Sequence, residues 1–107
     1  VRGIKADNEA AMRARWMKPM VTYFIQGELT RRIKIGKTTL LPQDRLKQHQ
    51  IGSPDKLILL ATMDGDREAE LHTEFSSYLV HGEWFSPEPR LLDFIKNNCN
   101  LLVTSGV

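Results

Sequence analysis

The most constraining stretch is Arg31-Arg32-Ile33-Lys34-Ile35-Gly36, where charged and apolar residues alternate with a period of two. That alternation marks a half-buried strand and forbids a helix with one apolar stripe. It places Ile33 and Ile35 on the core side and Arg32, Lys34 and Gly36 on the other. Just before it, Val21-Thr22-Tyr23-Phe24-Ile25-Gln26 is rich in β-branched and aromatic residues and also reads as a strand. Gly27-Glu28-Leu29-Thr30 is turn-like, so the two strands are expected to form a hairpin.

Further along, Pro42 suits the first turn of a helix running to about Gln50, and Leu41, Arg45 and His49 recur at four-residue spacing and share a face. Ile51-Gly52-Ser53-Pro54 stops that helix, and Lys56 to Met63 supplies a third strand around Leu57-Ile58-Leu59-Leu60-Ala61. Asp64-Gly65-Asp66 closes it and is expected to cap a helix from about Arg67 to Tyr78, with Leu71, Phe75 and Tyr78 as its apolar stripe. Gly82-Glu83-Trp84-Phe85 reads as an aromatic turn whose rings close the core. Ser86-Pro87-Glu88 has the pattern of a cap, an N1 proline and a first-turn acid for a last helix, and Leu101-Leu102-Val103 suits a brief final strand. Asp7 to Met17 fits an additional N-terminal helix, ended by Pro19. The expected architecture is α+β: a small three-stranded antiparallel sheet flanked by helices, preceded by an N-terminal extension over residues 1–20, with the domain proper at 21–107.

A chain of 107 residues has room for one ordinary core. Its 41% apolar and 26% charged content is that of a globular protein. The net charge of +2 is mild, but most of the fifteen cations precede residue 50, and most of the thirteen acids lie outside residues 10–43. The early part of the fold is therefore the positive part. Cys99 is the only cysteine, which excludes an internal disulfide and a cysteine-rich zinc site. No apolar run reaches the ~18–20 residues of a membrane span, and the charged N-terminus lacks the apolar core of a signal peptide. An intracellular, cytoplasmic location is expected, with no membrane partner.

Several side chains have the types that phosphodiester hydrolysis needs: a base for the attacking water, cations for the developing charge, and a carboxylate for a divalent metal. Tyr23 can relay or accept a proton, Lys37 and Arg45 supply positive charge, and Glu68 can hold the metal, with Glu70 as its rival. His72 sits one turn after Glu68, and it either shares that metal or packs beside Leu71. Glu68 also suits the helix dipole as a first-turn acid.

The order and spacing of these residues resemble the GIY-YIG nuclease superfamily, and within it the compact phage and bacterial branch with a Gly-Glu-Trp-Phe ending. In that pattern a strand ending in tyrosine pairs with one ending in isoleucine-glycine. A basic residue follows, then a helix bearing arginine and, one turn on, histidine or tyrosine, then a glutamate on the next helix. The corresponding residues are Tyr23, Lys34-Ile35-Gly36, Lys37, Arg45, His49 and Glu68, and the resemblance spans roughly residues 21–85. Val21-Thr22 replaces glycine-isoleucine, and Lys34 stands where many members have a second tyrosine. The resemblance implies metal-dependent (Mg²⁺ or Mn²⁺) hydrolysis of DNA. Tyr23, Lys37, Arg45, His49 and Glu68 would be the catalytic residues, Glu68 the metal ligand, and Arg32, Lys34 and Gly36 the substrate contacts. It makes Tyr23 the expected proton acceptor, with His49 either bonding Tyr23 or assisting the transfer. Two other readings are a binding module of the same fold that holds nucleic acid without cutting it, and a protein-interaction domain presenting Trp84 and Phe85. A homodimer, or a fused or partner DNA-binding domain, would supply the base readout that so small a surface lacks.

Overall fold

The computed structural model describes residues 19–102; the expected helix over Asp7 to Met17 and the end of the expected last strand, at Val103, lie outside them. The strands are β1 (Val21–Gly27), β2 (Ile33–Thr38), β3 (Leu57–Asp64), β4 (Leu79–His81), β5 (Trp84–Phe85) and β6 (Asn100–Leu101). The helices are α1 (Pro42–Ile51), α2 (Glu68–Glu74) and α3 (Pro89–Asn98), with a single 3₁₀ turn at Ser76–Tyr78. All strands are antiparallel to their neighbours, in the order β4-β5-β2-β1-β3-β6. Among the described residues, no helix is long and apolar enough to cross a membrane.

The expectation of a three-stranded sheet is thus overturned: the sheet has six strands, although the class remains α+β. The additions are two or three residues long, too short to carry a period-two pattern. The aromatic turn proves to be the corner of the β4–β5 hairpin, whose second strand docks on β2 with Phe85 opposite Ile33 and Trp84 opposite Lys34. Helix α2 begins at the expected place, behind Arg67, but without a side-chain cap from the preceding acids, and it ends at Glu74, with Tyr78 in the 3₁₀ turn. The last helix starts at Pro89, behind Glu88, rather than at Ser86-Pro87.

Both faces of the sheet are covered. One face carries Phe24, Ile33, Ile35, Ala61 and Met63, packed against Leu71 and Phe75 and against Leu91 and Ile95 of α3. The other carries Tyr23, Ile25, Leu57 and Leu59 beneath Leu46 of α1. A bulge makes this possible. Phe24 pairs with Ala61 but Ile25 with Leu59, so Leu60 is an extra residue on β3. The bulge shifts the alternation by one position, and an unbroken apolar run serves two cores.

The β1–β2 turn is pinned from outside the hairpin. Asp55, in the loop after α1, accepts hydrogen bonds from Leu29 N (2.9 Å), Thr30 N (3.2 Å) and Thr30 Oγ1 (3.3 Å). Gly27 makes room for it, since a Cβ there would overlap the Asp55 carboxylate. Gln50, at the end of α1, donates to the Asp55 carbonyl at 2.9 Å and accepts from Leu57 N at 2.7 Å. These bonds fix the last turn of α1 against the sheet.

The Leu29 and Thr30 amides, chiefly Leu29, hold the Asp55 carboxyl below its usual pKa of 3.8. A depressed folded-state pKa contributes stability that is present above the unfolded value and lost as pH falls through the folded one. Asp55→Asn is therefore expected to lower Tm at neutral pH and to flatten the acid limb of a Tm-versus-pH curve below about pH 4. An unchanged acid limb would show that Asp55 does not anchor the turn.

Candidate functional site

Strand register builds the centre of the site. Tyr23 on β1 lies directly opposite Gly36 on β2, and its ring crosses the place where a β2 side chain would stand. A Cβ on Gly36 would overlap the phenol oxygen and ring carbon, so glycine is required here for space. The ring is 1% exposed. Its hydroxyl oxygen is 2.9 Å from His49 Nε2, on the last turn of α1. One contact thus ties β1, β2 and α1 together.

Arg45, one turn before His49, supplies charge to the same place. Burial raises the Tyr23 pKa above 10.0, and the Arg45 guanidinium beside the phenol works against that without overcoming it. Arg45 Nη1 donates to Gln48 Oε1 at 2.6 Å, while its Nε is buried with no hydrogen-bond partner. A buried, unsatisfied guanidinium nitrogen is costly unless an acceptor arrives. Burial also lowers the His49 pKa below 6.5, aided by the charges of Lys34 and Arg45. At neutral pH the imidazole is uncharged. Its second ring nitrogen has no hydrogen-bond partner among the described residues.

Lys34 projects on the same face as Tyr23, as the alternation requires. It forms an ion pair with Glu83 at 2.8 Å, and its ammonium lies 5.6 Å from the centre of the Trp84 ring. Arg32 lies just before β2, exposed and without an ion pair among the described residues.

Lys37 pairs with Thr22 in the register and projects on the opposite face, where it meets Asp66 at 3.0 Å. Glu68, at the start of α2, acts electrostatically on both Tyr23 and Lys37. The neighbouring acids are engaged: Arg67 clasps Glu70 at 2.6 and 2.9 Å, and Lys37 holds Asp66. Glu68 has no hydrogen bond or ion pair among the described residues. The structure therefore gathers Tyr23, Lys34, Gly36, Arg45 and His49 on one face, with Lys37 and Glu68 around the strand ends from them.

His72 anchors Glu68 in place. Its Nε2 donates to the Ile35 carbonyl at 2.9 Å, and its ring meets the Phe85 edge with centroids 4.9 Å apart. This bond holds α2 against β2 one turn after Glu68. Of the two readings of His72, packing is the one its contacts support. Thr22 fixes the other end of the connection, donating to Gly65 O at 2.8 Å and accepting from Arg67 N at 2.9 Å. Neither Glu83 nor Asp66 stood out in the sequence as a partner for a site lysine. The β2–β5 pairing that brings Glu83 to Lys34 rests on a two-residue strand. Burial pushes the Cys99 thiol up to about 11, in keeping with an inert packing role at the end of α3.

Among the described residues no three histidine, cysteine or acidic side chains converge on a metal site. A lone carboxylate is nevertheless a suitable donor for Mg²⁺, which keeps several waters and takes its remaining ligands from substrate phosphates. The unengaged Glu68 fits that requirement better than the clasped Glu70. Comparisons with protein-family models, characterised proteins and solved structures found no match for this chain.

Two measurements check the geometry. Gly36→Ala is expected to cost about 1–3 kcal/mol in denaturant unfolding, through overpacking against the phenol. The same change should be nearly neutral in a Tyr23→Ala background, and additive costs would show that the ring does not press on Gly36. For His49, the lowered folded-state pKa means protonation opposes folding. Its stabilisation is complete above about pH 6.5 and is lost as pH falls through the folded pKa. An NMR titration should give His49 a midpoint below that of an unstructured histidine; a midpoint at or above it would contradict the buried, cation-flanked ring.

Proposed function

We propose that this protein is a metal-dependent endonuclease that hydrolyses DNA phosphodiester bonds at the Tyr23–His49–Arg45 cluster. The observation that carries the reading is the buried, unpartnered Nε of Arg45 beside the Tyr23–His49 pair, in a chain whose ordered residues resemble the GIY-YIG pattern. A guanidinium held in this way is suited to a phosphate oxygen. Glu68 would hold a Mg²⁺ or Mn²⁺ ion, which when bound would supply Lewis-acid stabilisation of the phosphate charge.

The proton-accepting role falls to His49 in this reading. A phenol that is 1% exposed and raised above its ordinary pKa is a poor base at neutral pH, whereas His49 is uncharged there and lines an open cleft. When His49 Nε2–H is donated to the Tyr23 oxygen, the other ring nitrogen is the free base. Tyr23 then acts as a positioning residue that fixes the tautomer and the ring plane. Arg45 stabilises charge on the phosphate, and Lys34 and Arg32 carry the strand toward it. Gly36 leaves the space that Tyr23 occupies. Lys37, paired with Asp66, adds charge near Glu68.

A second reading, a binding module without cleavage, is favoured by Lys34 at the second-tyrosine position and by its ion pair with Glu83. Plasmid cleavage in Mg²⁺ or Mn²⁺ separates the two. Wild type should cut; His49→Ala and Arg45→Ala should each lose about 10²–10⁴-fold. Glu68→Gln should lose activity in both metals. Tyr23→Phe should lose less than His49→Ala. The rate should fall as pH drops below about 6.5, because protonation removes the base. Equal backgrounds for wild type and all variants, together with salt-sensitive DNA binding, would support the binding module instead.

A further inference from the structure

The open cleft lined by His49 has a volume of about 440 Å³ and extends beyond the groups given roles in cleavage, to Trp84, Gln48 and Ser53. Its lining includes Arg32, Lys34, His81 and Trp84, together with Gln48 and Ser53. Its volume is within the ~300–1,000 Å³ range of small-ligand sites. Arg32 is the cation in it that is left for an anion. The carboxylate of Asp55, which also borders the cleft, is turned to the amides of Leu29 and Thr30 and the Thr30 hydroxyl, and Lys34 is already paired with Glu83. Arg32 has no acidic partner among the described residues. The cleft thus joins an indole, an unpaired cation and polar hydrogen-bonding groups, with the proposed base in its wall.

This combination is suited to one nucleotide unit: a planar base against Trp84, an anionic phosphate on Arg32, and polar edges for the base's own donors and acceptors. A base stacked in a duplex has both faces covered by its neighbours, so it must leave the stack to reach an indole. We infer that this cleft receives an unpaired nucleotide next to the cleavage position, making the preferred substrate DNA with unpaired bases rather than continuous duplex. The inference rests on the nuclease reading for its neighbouring phosphate, but the cleft itself is testable without cleavage.

The chain has two tryptophans, so a Trp16→Phe background leaves Trp84 as the sole indole. With EDTA present, a short single-stranded DNA oligomer is titrated while indole emission and anisotropy are followed. Emission should be quenched on binding, and the oligomer should bind about tenfold more tightly than either an abasic oligomer of equal length or the matching duplex. The abasic oligomer keeps every phosphate, so it isolates the base. Arg32→Glu, at an exposed position that does not endanger the fold, should weaken the single-stranded complex by about tenfold. A free mononucleotide should quench only at much higher concentration. Saturation by the mononucleotide at the oligomer's own concentration would overturn a strand site in favour of a free-nucleotide site. Equal binding by the abasic oligomer or the duplex, or binding without quenching, would overturn the cleft's role. Plasmid cleavage without quenching rejects the cleft and leaves the nuclease; quenching without cleavage in any metal keeps the cleft and rejects the nuclease.

Discussion

The packing of the Tyr23 ring over Gly36 is the contact on which the rest of the site depends. It lets a bulky aromatic lie flat across two central strands, which carries its hydroxyl sideways to α1 instead of upward into solvent. From there the consequences follow in order. The phenol fixes His49, the turn containing His49 also holds Arg45, and burying that turn against the ring strands the Arg45 Nε without an acceptor. The electrostatic features share one cause, exclusion of water by a ring that has nowhere else to lie. Burial is accordingly the first cause of the raised phenol pKa and of the lowered imidazole pKa.

The second half of the arrangement is supplied by backbone. Helix α2 is only seven residues long and has no side-chain cap, so little in its own sequence fixes its position. Its placement comes from Thr22 bridging Gly65 and Arg67, and from His72 reaching the Ile35 carbonyl. Beyond the end of β5, β2 has a carbonyl open to a partner, and His72 takes it. Glu68 is therefore set relative to Gly36 through the same strand that receives Tyr23. A single strand carries the register for both sides of the candidate site.

Where a local pattern was strong, the sequence was readable. The alternation around Ile33 and Ile35 located β2 and its core face, four-residue spacing put Arg45 and His49 together, and Leu71 and Phe75 marked the buried side of α2. Features set by long-range pairing were not readable. Strands β4, β5 and β6 exist because β2 and β3 offer open edges, and two or three residues cannot announce that by periodicity. The shift of the last helix to Pro89 has a similar origin: Ser86 N is drawn back to Tyr78 O at 2.8 Å, which delays the first turn. The ion pairs of Lys34 and Lys37 depend on which loops arrive beside them, and neither is local. The Tyr23–His49 bond was within reach of sequence reasoning, but the burial that separates their roles was not.

The bulge at Leu60 has a consequence of another kind. It acts as a phase shifter: Leu57 and Leu59 before it face the helix that carries His49, whereas Ala61 and Met63 after it face the two helices on the far side. The odd-numbered residues of one strand are thereby divided between the two layers. Substitutions at Ala61 or Met63 alter the layer beneath α2 and α3, whereas those at Leu57 or Leu59 act on the floor under α1. Loss of the extra residue would exchange the faces of one segment, turning Thr62 into the layer beneath α2 and α3 or moving Leu59 out of the floor under α1. The integrity of both layers is thus held by chain length at one point, where no particular side chain need be chemically special.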